Sequence, residues 1–130
     1  MFTSDIVRVT LNRIENYQRL IKLIRLKTIE EDRCTLPPKV MANFLDVASD
    51  DMARWLDKLM QLGIIEKLGP GNVYRVVNPT EEKNKLDKIA ELLVLIEEQP
   101  QLSFEQQAES LGITISELEG LFGFFIQVAS

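Results

Sequence analysis

The side chains in this chain best suited to binding chemistry are a small set of cations. Arg54 and Lys58 stand one turn apart on a helix expected from Asp50 to Leu62. Lys67 and Arg75 flank a Gly69-Pro70-Gly71-Asn72 turn, and Asn72 adds a neutral donor there. Lys39 lies at the start of an earlier helix. A guanidinium can give guanine two parallel hydrogen bonds, and an ammonium suits a phosphate oxygen. Catalytic chemistry has much less to work with. No histidine is present, so the commonest general base and transition-metal ligand are missing. No Walker loop, nucleotide-binding glycine pattern or paired-cysteine motif occurs. The carboxylates fall on helix faces that read as solvated. We therefore expect no enzyme activity, metal, cofactor or small-molecule ligand. Cys34 is the single cysteine, which excludes an internal disulfide and fits a reducing compartment. It reads as a small, half-buried residue at a strand start.

The elements that must position these cations run from Leu36 to Val77. Pro37 and Pro38 can open a helix, because a missing N–H costs nothing in the first turn. Val40, Met41, Phe44 and Leu45 would give it an apolar face. Ser49 can cap the next helix, with Asp50 and Asp51 at its positive end. Met52, Leu56 and Leu59 form its buried stripe, and Gly63 ends it. Ile64 to Lys67 and Val73 to Val77 then pair as a hairpin about the glycine turn. Upstream, Ile14, Tyr17, Leu20, Ile21, Ile24 and Leu26 mark a longer amphipathic helix, with Thr10 or Asn12 as its cap. Arg13, Arg19, Lys22, Arg25 and Lys27 lie between them, as a solvated back or a phosphate-facing flank.

This order resembles the winged helix-turn-helix superfamily. The resemblance implies that the helix from Asp50 enters the major groove of duplex DNA, Arg54 reading bases and Lys58 meeting phosphate. It implies that the hairpin is a wing touching backbone or minor groove. The face itself is less hospitable. Asp50, Asp51 and Asp57 outnumber Arg54 and Lys58, and Asp57 has no helix-end role to explain it.

Residues 80–130 repeat this pattern 66 positions on. Leu36, Ala42, Leu45 and Val47 meet Leu102, Ala108, Leu111 and Ile113. Met52, Leu56 and Leu59 meet Leu118, Phe122 and Phe125, and Leu23, Leu26 and Ile29 meet Ile89, Leu92 and Leu95. Gly112 suits a helix-turn-helix corner. The expected fold class is therefore mainly α with a small β-hairpin. A winged helix-turn-helix domain at 1–79 would precede a wingless three-helix unit at 80–130, whose first helix starts at Glu81 capped by Thr80.

Charge separates the halves. Residues 1–79 carry 12 Lys/Arg against 10 Asp/Glu, whereas residues 80–130 carry 3 against 10. Only the first half could face phosphate. With 45% hydrophobic and 27% charged residues, the chain has globular composition. No apolar run could span a bilayer and no signal-peptide order is present, so a soluble cytoplasmic protein is expected.

Several apolar residues lack a place in this pattern. Trp55 and Leu62 share one side of the recognition helix, to be covered by the N-terminal helix or left as an interaction patch. Phe124, Ile126 and Val128 fall outside the main stripe of the last helix, which is apolar nearly all round. The first half, a second copy of the chain or a missing segment could cover it, and a homodimer is the preferred choice. Two functions follow from the resemblance. One is a DNA-binding transcriptional regulator. The other is a tandem winged-helix module that binds protein in an assembly.

Overall fold

The computed structural model describes residues 4–29, 33–69, 71, 73–77 and 83–129. Among them lie six helices: α1 Ser4–Leu26, α2 Pro38–Leu45, α3 Ser49–Gln61, α4 Lys85–Glu98, α5 Phe104–Leu111 and α6 Ile115–Ala129. Four short strands complete the order: β1 Thr28–Ile29 and β2 Arg33–Cys34 before α2, then β3 Ile65–Lys67 and β4 Tyr74–Val76 after α3. The chain is thus mainly helical with a small antiparallel sheet. No single helix among the described residues is long and apolar enough to cross a membrane.

Two compact units result. One is a hairpin unit, Asn16–Glu82; the other is an all-helical unit, Met1–Glu15 with Lys83–Ser130. This departs from the expected 1–79 and 80–130, because the first half of α1 belongs with the C-terminal helices. The helix also starts earlier than Thr10 or Asn12. Val7, Thr10, Ile14 and Tyr17 form one continuous buried stripe at helical spacing, so Thr10 sits inside the helix instead of capping it.

In the hairpin unit, Pro38 takes the first position of α2 after Pro37, as the proline pair requires. Asp46 closes α2 in the left-handed region at φ 56°, ψ 50°. Ala48, not Ser49, is the N-cap of α3, and no side chain caps it. Asp50 and Asp51 meet the helix dipole in its first turn instead. Met41, Ala42, Met52, Leu56 and Leu59 are buried as their spacing demands, together with Leu20, Ile21, Leu23 and Ile24 of α1. Burying each large aliphatic side chain contributes roughly 1.5–3 kcal/mol. The sheet runs in the order β1–β2–β4–β3, all antiparallel. Cys34 pairs with Tyr74 across β2 and β4 and is fully buried rather than half-buried. Phe44 and Leu26 depart from expectation, at 56% and 71% exposed. The Lys27 ammonium lies 4.9 Å above the Phe44 ring, so that ring has a cation for cover instead of the core.

In the all-helical unit, α4 begins at Lys85 rather than Glu81. Asn84 caps it in a reciprocal box with Asp87, while Thr80 to Glu82 lie outside the described residues. Ser103 and Gln106 form the same box on α5. Thr114 and Glu117 repeat it before α6. Leu86, Ile89, Leu92, Leu93, Ala108, Leu118, Leu121, Phe124, Phe125 and Val128 make the core. Phe124 and Val128, expected on an outer surface, are therefore core residues. Both are buried within one copy of the chain, where α6 packs on α4 and α5. The Arg13 guanidinium donates to the Ala129 carbonyl at 2.9 Å and to Val128 at 3.5 Å. The Lys85 ammonium sits 5.5 Å from the Phe124 ring.

Candidate functional site

The expected recognition surface is the outward side of α3 with the β3–β4 hairpin beside it, both in the hairpin unit. Arg54 points outward, but its guanidinium is paired with Asp51, one turn back. Lys58 is half-buried, while Asp50 and Asp57 are exposed. Asp57 also acts on the hairpin. The buried Tyr74 phenol is held above its ordinary pKa, first by desolvation and then by the Asp57 charge.

On the hairpin, Glu66 pairs with Arg75 across the two strands. The Arg75 Nε donates to Glu66 Oε1 at 2.6 Å, and Nη2 reaches the same oxygen. Both candidate arginines are thus engaged by carboxylates within their own element or hairpin. Lys67 is exposed on β3, and Lys39 is exposed on α2. Asn72 lies outside the described residues.

Three cations on α1 or just beyond its end have structural partners. Arg19 Nη2 donates to the Leu45 carbonyl at 2.9 Å, satisfying the C-terminal end of α2. Arg13 does the same for α6, and Lys27 covers Phe44. A cation at a helix C-terminus meets the negative end of its dipole. Three of the five expected flank cations therefore have structural work.

The apolar candidates divide. Trp55 is half-buried and stands edge-on to Tyr17 of α1, with ring centroids 6.4 Å apart at 84°. The N-terminal helix covers it, as one of the two expectations had it. Leu62 is half-buried at the end of α3. Ile126, at 59% exposed, remains the outward residue of the α6 set. Sequence reasoning missed Glu66 as the partner of Arg75, and Arg13 and Arg19 as helix-end donors. It also missed a shallow groove of about 440 Å³ on the all-helical unit, lined by Ala90, Glu91, Val94, Leu95, Glu98 and Leu111. The register was available for Glu66, since counting outward from Gly69–Asn72 sets residue 66 against 75.

No protein family, curated protein or solved structure matches this chain.

Proposed function

We propose that the hairpin unit is a winged helix, that the all-helical unit is a wingless relative, and that the pair works as a protein-interaction module in an assembly. The pairing of Arg54 with Asp51 and of Arg75 with Glu66 carries this reading. A duplex binder neutralises several phosphates and gains from the counterions released. Here the two arginines best placed for that work already face carboxylates. Such exposed pairs are individually weak, about 0–1 kcal/mol, so phosphate could displace them. The carboxylates would nevertheless stay beside the phosphates. Asp50, Asp51 and Asp57 leave the α3 face net negative. Each would oppose a phosphate by about 1 kcal/mol at contact distance in water.

Titrating a fluorescent duplex with the full chain at low and at physiological salt tests the reading. We expect no saturable binding at either. Affinity that falls steeply with salt and weakens on Arg54→Ala would restore the DNA-binding regulator.

A further inference from the structure

We propose that the groove between α4 and α5 docks a basic amphipathic helix from a protein partner. This rests on the assembly reading and names the chemistry of the partner. The floor is apolar: Ala90, Val94 and Leu95 on α4 and Leu111 on α5. Val94 is 42% exposed, unusual for a β-branched residue in the middle of a helix. The rim is acidic, with Glu91 and Glu98 seven positions apart and so on one side of α4. The unit as a whole supports that field. Within it, Lys and Arg total 5 against 10 Asp and Glu.

Comparison with the hairpin unit shows what opens the groove. The residue 66 positions before Ala90 is Ile24, which is wholly buried. Alanine leaves a shallow depression where isoleucine fills the space. By the same count Arg25 stands where Glu91 does, so that rim charge is reversed, while Glu98 corresponds to Asp32 and keeps its sign.

The dimensions select the occupant. Ala90 to Glu98 spans about 12 Å of helix, a little over two turns. A helix lying along it presents two apolar side chains one turn apart, at i and i+4, to Val94 and Leu111. Lysines or arginines beside them then meet Glu91 and Glu98. Burying the apolar pair supplies affinity, and the charges set orientation and speed association.

The test uses the full chain, isotope-labelled, titrated with a helical peptide of leucine and lysine whose leucines recur at i, i+3, i+4 and i+7. A peptide with glutamate in place of lysine is the control. We expect amide shifts centred on Ala90, Val94 and Leu111, and none with the glutamate peptide. Val94→Asp should weaken binding about tenfold or more. Glu98→Lys should weaken it several-fold at low salt, an effect that fades as salt rises. Both positions are exposed, so both variants keep the fold. Shifts spread over other acidic helix faces and indifferent to Val94→Asp would overturn the proposal, as would no saturable binding. The duplex titration above separates the two levels. A failed groove with no duplex binding removes the groove alone, whereas salt-sensitive duplex binding removes the assembly reading.

Discussion

Asp46 and Gly112 stand 66 positions apart and hold the same left-handed backbone, at φ 56°, ψ 50° and φ 68°, ψ 33°, at the end of α2 and of α5. The match extends outward from them. The Val47 amide donates to the Ala42 carbonyl at 3.0 Å, and Ile113 does the same to Ala108 at 3.0 Å. α2 Pro38–Leu45 and α5 Phe104–Leu111 begin and end at corresponding residues. The corner residues themselves differ. In the all-helical unit the corner is glycine, which takes this conformation without a Cβ clash. In the hairpin unit it is aspartate, which tolerates it better than most residues.

Gly112→Ala should therefore lower stability by about 1–2 kcal/mol. Nothing lies within 4 Å of the added Cβ, so the loss is purely backbone strain. Asp46→Gly should be close to neutral, since relief of strain is offset by added freedom in the unfolded chain. Urea denaturation of the two variants checks the contrast.

Gln107 of α5 stands 66 positions after Met41 of α2. Both are buried, but the Gln107 Oε1 atom has no hydrogen-bond partner. An unsatisfied buried acceptor costs about 1–3 kcal/mol. Gln107→Met should raise the denaturation midpoint, though by less than that, because the Gln107 Nε2 donation to the Leu102 carbonyl at 3.4 Å is lost as well, while Met41→Gln should lower it. Thermal unfolding followed by circular dichroism measures both.

The two arginine caps on α1 make a third expectation. Arg19→Met should cost about 0.3–1 kcal/mol, the usual size for a charge at an exposed helix end. Arg13→Met should cost more, because its guanidinium is half-buried and serves two carbonyls. Lysine at either position should recover part of the loss. Thermal denaturation at low and high salt would separate the charge effect from the lost hydrogen bonds.

Tyr74 sets a pH dependence at the alkaline end. Its folded pKa lies above 10.0, so the folded state favours the neutral phenol. The stabilisation is complete below the unfolded value and disappears as pH rises through the folded one. Stability should fall above pH 10, and the Tyr74→Phe chain should lack that share of the fall. Asp57→Asn should bring the phenol partway back, since burial is the larger cause. Tyrosinate absorbance against pH reports all three chains.

Much of the fold was legible because periodicity and turn chemistry agreed. Met52, Leu56 and Leu59 repeat every three or four residues and are buried. Pro38 opens α2, and β3 and β4 pair on either side of the glycine-rich stretch. Where the reading failed, a longer-range effect won. Ile29 matched Leu95 of a helix by its spacing, whereas Leu26 is helical as expected but exposed. The chain instead leaves α1 at Leu26 and gives Thr28–Ile29 to the sheet, a tertiary pairing that propensity does not report. Phe124 and Val128 looked stranded because the periodicity of α6 alone does not report its packing on both α4 and α5. Capping signals at Asn84, Ser103 and Thr114 were visible as motifs and place α4, α5 and α6 better than Thr80 did. At the candidate surface, residue types were plain but pairing was not. The competition of Asp51 for Arg54 depends on rotamers, whereas that of Glu66 for Arg75 follows from hairpin register.

The central claim is that acidic neighbours keep the α3 and hairpin arginines from serving phosphate. Its most direct test compares duplex binding by the native chain with binding by the Asp51→Asn, Glu66→Gln double variant across a salt series. We expect no binding by the native chain, and in the variant a weak affinity whose logarithm falls with log salt at a slope of about 1–2. Native binding as tight as that of the variant, with an equally steep salt dependence, would contradict the account.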